Sequence, residues 1–210
     1  MTTRSTRRAF LATTAAAAAT TWAGPRLYAA GANTSPNDMI NIGVIGCGAR
    51  VRTVLDGFKA LPGNRVVMAC DVNSKHLDAL CNQYKPAGGE KLPGCGDFRK
   101  LLDNKDIDVV VIATQAHWHV LPMIAAIKAG KDVYLEKPPV LRIQSLRELV
   151  NVQESHGCFC AVGFQDIARS CVATLKRRLC EGAIGPIRAI HAQARWQRTL
   201  AYYGRSPWAG

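Results

Sequence analysis

Asp108 to Pro138, DVVVIATQAHWHVLPMIAAIKAGKDVYLEKP, joins a buried strand, a polar turn, a helix and a second strand ending in Glu136-Lys137-Pro138. Val109 to Ile112 is an unbroken apolar run, as a parallel strand covered on both faces requires. Leu121 to Ala129 repeats apolar residues at helical spacing until Gly130 stops the helix, and Val133-Tyr134-Leu135 reads as the next strand. Ligands of open α/β sheets bind at the carboxyl ends of the strands, so Gln115 to His119 and Glu136 to Pro138 are expected to face one crevice. Lys137, held where a parallel strand ends, is the first candidate for a reactive group.

Upstream, Ile40 to Ile45 reads as a strand, Gly46-Cys47-Gly48-Ala49-Arg50-Val51 as a glycine turn, and the residues through Leu55 and Phe58 as a helix. In such a turn the first glycine permits the tight bend and the second lets the backbone approach a pyrophosphate, whose charge meets the amides of the helix N-terminus. The third glycine of the pattern is replaced by Val51, which is expected to push helix and strand apart or to turn its side chain elsewhere. Arg65 to Cys70 reads as the second strand and ends in Asp71, near the spacing of roughly 20 residues expected for an acid that binds the adenine ribose. A carboxylate there favours NAD over NADP, because it accepts from ribose hydroxyls and repels a 2′-phosphate. Asp71-Val72-Asn73-Ser74 also reads as a cap for a helix over Lys75 to Tyr84.

The sequence resembles the glucose–fructose oxidoreductase / inositol dehydrogenase / rhizopine-catabolism (Gfo/Idh/MocA) family from Met39 to about Trp196. GVIGCG at 43–48, HWH at 117–119, AGKDVYLEKP at 129–138 and GAIGPIRAIHAQARW at 182–196 carry the resemblance. It implies an α/β fold, a Rossmann-type parallel sheet with helices on both faces over residues 37–165, followed by the start of an α+β substrate domain over 166–210. It implies Lys137 as the catalytic lysine beside nicotinamide and substrate, with Pro138 following a cis bond. A lysine near a cationic ring in a partly dry pocket has its charged form disfavoured, which suits proton exchange with a sugar hydroxyl. Glu136 and Lys137 also read as a plain surface pair at a strand end.

The implied cofactor set is Gly46, Gly48, Ala49, Arg50, Asp71, Thr114, His119, Glu136 and Lys137. His119 matches the family's turn histidine, but a histidine there would equally cap the helix from Val120. The family's Thr-Pro-(Asp or Asn) is replaced by Thr114-Gln115-Ala116, and Trp118 reads as a packing residue. Val162 to Gln165 resembles the last strand of the nucleotide domain, with Phe164 where the family carries a smaller residue. Cys171 to Cys180 reads as the first helix of the substrate domain and Ile187 to Ala194 as its first strand, a lone edge without partners. His191 falls in that strand and matches no catalytic motif. The chain is expected to be C-terminally shortened, and association through the absent sheet cannot be inferred from it.

At 210 residues and 48% hydrophobic content the chain holds one full domain and part of a second. Arg4, Arg7, Arg8 and Arg26 supply four of its +12 formal charges. STRRAFL at 5–11 places paired arginines before the apolar stretch Phe10 to Ala23, and Ala30-Gly31-Ala32 offers small residues for cleavage. That is the layout of a twin-arginine signal peptide over 1–32, with periplasmic or other export. The stretch is too short for a bilayer that needs about 20 residues, so no stable membrane span is expected. Late basic residues from Arg169 to Arg205 lack the interleaved aromatics of a nucleic-acid groove, and no nucleic-acid partner is expected. Cys47, Cys70 and Cys160 lie in or beside apolar runs, no C-x-x-C occurs, and no metal site is expected.

The function the residues and the resemblance imply is NAD-dependent hydride transfer to or from a sugar, a cyclitol or a derivative, with NADP less favoured. The alternatives are an NAD-dependent glycosidase of the same superfamily and a non-catalytic nucleotide-binding remnant.

Overall fold

The computed structural model describes residues 39–84 and 89–204. The leader, Asn37, Arg205 and Trp208 lie outside the described residues. The described chain divides between Val162 and Gly163 into two compact units.

The first unit is built on six parallel strands: β1 (Ile40–Ile45), β2 (Asn64–Cys70), β3 (Gly94–Cys95), β4 (Val109–Ile112), β5 (Asp132–Leu135) and β6 (Cys160–Val162). Their order in the sheet is β3-β2-β1-β4-β5-β6. Growth of the sheet therefore reverses between β1 and β4, which opens a crevice at the carboxyl ends of those two strands. The expected strands at 40–45, 65–70, 109–112 and 133–135 fall on β1, β2, β4 and β5. The last strand lies earlier than the expected 162–165. Its register pairs Val162 with Leu135, the end of β5, and Gln165 instead opens a 3₁₀ turn over Gln165–Ala168.

Five helices cross over between these strands: α1 (Ala49–Lys59), α2 (Ser74–Gln83), α3 (Phe98–Leu102), α4 (Val120–Lys128) and α5 (Ile143–His156). Side chains alternate across each strand, giving two cores. Val110, Ile112, Val133 and Leu135 pack with Ile127, Leu149 and Leu101 on one face. Ile42, Val44 and Val111 pack with Val51, Leu55 and Leu80 on the other. Val51 is 0% exposed, so its side chain turns inward and joins the core rather than swinging away. Burying it contributes about 1.5–3 kcal/mol.

Pro122 occupies the first turn of α4, where no intrahelical N–H bond is lost. Gly130 follows that helix at φ 73°, and Lys131 donates its backbone N–H to Ala126 O at 3.0 Å, which closes the last turn. The Lys131 side chain then runs inward at the amino end of the sheet. Its Nζ donates to Asn104 O at 2.9 Å and Ile107 O at 2.8 Å. Burial pushes this ammonium below its usual range, against the opposing pull of Asp108 and Asp106.

The second unit contains the 3₁₀ turn, α6 (Ser170–Cys180) and the short α7 (Leu200–Tyr203). The strand expected over 187–194 does not form. Residues 187–199 have no ladder partner, and Ile187, Ile190 and Trp196 stand exposed. An extended segment becomes a strand only when its N–H and C=O groups meet another strand.

Candidate functional site

The crevice is built first by Gly46. At φ +92° it adopts a conformation that L side chains rarely take, and a Cβ would lie 2.8 Å from Ala113 C, Ala113 O and Thr114 N. The end of β1 can therefore pass against the end of β4 only as glycine. Gly48 caps α1 and shows the opposite: a Cβ there would meet nothing within 4 Å. The space beside it is open to a ligand that approaches the first amides of the helix. Ala49 and Arg50 follow on that exposed turn.

Asp71, at the end of β2, ties the glycine turn to the next helix. Its Oδ2 accepts from Cys47 N at 2.6 Å and its Oδ1 from Asn73 N at 2.8 Å. The cap of α2 is Asn73, whose Oδ1 accepts from Lys75 N at 3.0 Å. Asp71 therefore does not cap that helix with its own side chain. Each of its oxygens retains a lone pair for a hydroxyl donor. Beneath it, burial first and the Asp71 charge second push the Cys47 thiol up to about 12, and burial likewise raises Cys70. These buried thiols are inert protonated packing groups.

The end of β5 carries Glu136, 3% exposed, and Lys137, exposed. The Lys137–Pro138 peptide is cis. Glu136 is not part of a plain surface pair with its neighbour. Arg50 of α1 brings Nη2 to 2.9 Å from Glu136 Oε1, while Oε2 accepts the Lys137 N–H at 3.2 Å. Arg50 thus compensates the charge of the buried Oε1, which keeps lone-pair capacity for a donor group on a bound molecule. Tyr134 also lies against Glu136; burial first, then the Glu136 charge, raises its phenol.

Thr114 is half-buried at the end of β4, with its Oγ1 3.4 Å from Gln115 O. His119 is 1% exposed and does not cap α4 through its side chain. Its ring instead spans two backbone carbonyls, Nδ1 at 2.7 Å from Pro138 O and Nε2 at 3.0 Å from Thr114 O. Trp118 is 51% exposed beside His117, so it is not the packing residue expected.

Gly46, Gly48, Arg50, Thr114, Glu136 and Lys137 thus gather at the carboxyl ends of β1, β4 and β5, with Asp71 at the end of β2. Residues 40–164 match the oxidoreductase family with an NAD-binding Rossmann fold. The chain belongs to this family. Among its relatives, an alpha-N-acetylgalactosaminidase of Tannerella forsythia is 31% identical over 173 residues, covering 77% of this chain and 35% of that protein. A WlbA dehydrogenase from Chromobacterium violaceum, solved with NADH and UDP-GlcNAcA, shares the fold at TM-score 0.71 and 24% identity, over 84% of this chain and 50% of that one. Apo scyllo-inositol dehydrogenase from Lactobacillus casei gives TM-score 0.63 and 25% identity, over 70% and 43%. The chain spans about a third of the curated relative's length and half or less of these solved chains.

Membership agrees with the residues: an open Gly48, an acid at the end of β2 and a buried carboxylate at the end of β5 fit an NAD dinucleotide. The Arg50–Glu136 pair and the Tyr134 contact are absent from the expected site. No spacing rule joins the second residue of a helix to a strand end 86 positions later; only the crossing of α1 over the sheet does. Among the described residues no group of three or more His, Cys, Asp or Glu side chains could hold a metal ion, and no helix is long and apolar enough to cross a membrane.

Proposed function

We propose that this chain is the nucleotide-binding part of an NAD-dependent oxidoreductase acting on a sugar, a cyclitol or a related derivative. The observation that carries the reading is the placement of Lys137 on the crevice that Gly46, Gly48 and Asp71 open. Bound here, NAD would supply the acceptor or donor of hydride for a carbinol carbon of the substrate. Lys137 Nζ holds the substrate hydroxyl and takes its proton as the carbon is oxidised, or gives it back in reduction. The α1 amides beside Gly48 would hold the pyrophosphate, Asp71 the adenine ribose and Glu136 the nicotinamide end. Arg50 holds Glu136 in place through the ion pair at 2.9 Å.

A second reading is supported by the alpha-N-acetylgalactosaminidase relative. In it the same residues hold NAD that is reduced and reoxidised within one turnover, so a glycoside is cleaved with no net NADH. Sugar-dependent NADH accumulation supports the dehydrogenase; sugar release at constant NADH supports the glycosidase. The paired Arg7 and Arg8 before an alanine-rich stretch support export by the twin-arginine route, which carries folded proteins and so suits one that acquires its nucleotide first. Detection of a cleaved chain in the periplasm tests it, and retention of residues 1–32 in the cytoplasm refutes it.

Calorimetric binding of NAD and NADP tests the cofactor site. Removing Asp71 in Asp71→Ala is expected to weaken NAD roughly tenfold, about 1.4 kcal/mol, and NADP less. Equal loss of both removes Asp71 from ribose recognition. NAD binding by the wild-type chain without turnover on any sugar leaves the remnant reading.

A further inference from the structure

His119 is sealed from solvent, and both of its ring nitrogens face groups that can only accept: Pro138 O at 2.7 Å from Nδ1 and Thr114 O at 3.0 Å from Nε2. A neutral imidazole donates from one nitrogen and presents a lone pair at the other. With one proton, one of these two contacts therefore sets acceptor against acceptor. With two protons, both become charge-assisted hydrogen bonds, which are shorter and stronger than neutral ones. The two carbonyls belong to different strand ends, the turn after β4 and the segment that carries Lys137 after β5.

We propose that His119 is a positioning residue for Lys137, and that its proton count sets how firmly the Lys137–Pro138 segment is tied to the Thr114 turn. Doubly protonated, the ring holds both carbonyls; singly protonated, it holds one and releases the other. The inference rests on the reading of Lys137 as the proton-handling group. His119 itself is not a catalytic residue, because its ring nitrogens are spent on the backbone and it is closed to substrate.

The charged surroundings act in both directions. On the β5 side stand Glu136, buried and paired with Arg50 of α1, and the exposed Lys137. The turn after β4 contributes only His117, which is exposed. The first turn of α4 has no charged side chain, and its nearest one is Lys128 in the last turn. The positive end of the α4 dipole opposes an imidazolium at His119. The two carbonyl oxygens favour it by direct contact. The clamp is therefore full when the ring carries two protons and loses one end when it carries one.

The test has two arms on the full chain. In the first, NAD affinity is measured by calorimetry from about pH 5 to 8. It is expected to fall roughly fivefold as pH rises, the worth of about one hydrogen bond, and to be flat in His119→Gln, whose amide has the same donor and acceptor at every pH. A flat wild-type profile, or a slope that persists in a folded His119→Gln, overturns the proposal. In the second, NMR of the nucleotide-free wild-type chain follows the His119 ring nitrogens together with the carbonyl carbons of Thr114 and Pro138. The carbonyl signals are expected to move with the ring. A ring that keeps one proton throughout, or carbonyls that do not follow it, overturns the proposal even if His119→Gln fails to fold. Absence of NAD binding at every pH would defeat the NAD reading alone, since the second arm uses no nucleotide.

Discussion

The two ends of β5 each carry a lysine, and the contrast between them separates what holds this domain together from what it offers to a ligand. Lys131, just before the strand, is 7% exposed and spends its ammonium on two backbone carbonyls of the segment leading into β4. Lys137, just after it, is exposed at the crevice. The residue type is the same and only Asp132 to Glu136 lie between them. At the amino end, the loops close over the sheet and a buried cation must satisfy whatever polar groups they bring with them. At the carboxyl end, the glycine turn, the Thr114 turn and the Glu136 segment leave room, so a cation there stays available.

The sharpest way to break this contrast is to remove the exposed lysine. Lys137→Ala is expected to lower kcat by about 10²–10⁴ in sugar-dependent hydride transfer, while unfolding free energy stays within about 0.5 kcal/mol of wild type. A stability loss as large as that of a core mutation would make Lys137 structural. Gly46→Ala comes next, because it strikes both properties. Its Cβ would collide with the Ala113–Thr114 backbone at 2.8 Å in a left-handed conformation. Strain of this kind costs about 1–3 kcal/mol, so a lower melting temperature and loss of NAD binding should appear together.

Lys131→Met isolates the other end of the strand. It removes the ammonium from Ile107 O and leaves Asn104 O only the longer Ile107 N–H at 3.4 Å, and should destabilise by about 1–3 kcal/mol. NAD affinity, measured at a temperature where the variant is folded, should be unchanged; a weakened affinity would erase the distinction between the two ends. The smallest effect is alkaline. The Cys47 thiol is pushed by burial from an ordinary 9.0 to about 12 in the folded chain. Its folded-state value is raised, so the stability linked to it is complete below about pH 9 and is lost as pH rises toward 12. Denaturant midpoints measured along that range should fall less steeply for Cys47→Ala than for wild type.

Much of the fold was legible in the residues. Unbroken apolar runs such as Val109–Ile112 carry their strand identity locally, and Gly130 announces the end of α4 because few other residues tolerate its backbone angles. The glycine turn and Asp71 were legible for the same reason, since a tight turn and a strand-end acid at the right spacing are properties of neighbouring residues. Val51 does not turn its side chain elsewhere, as one expectation had it. Its fate depends on the room left by Ile42, Val44 and Leu55, which lie on other turns and strands. The expected strand at 187–194 failed on the same ground: its alternation is real, but a ladder needs a second strand, and none pairs with it among the described residues.

Residue patterns alone marked β1, β2, β4 and β5, the crevice-facing turns and the family to which the chain belongs, because each is written in a few neighbouring residues; β3, α3 and α5 carried no such mark. The tertiary structure alone decided the partners of the site: Arg50 with Glu136, Asp71 with the Cys47 amide, and His119 between the carbonyls of Thr114 and Pro138. Those contacts join side chains and backbone from different strand ends, and the distances between them come into being only when six strands align and bring their carboxyl ends to one edge.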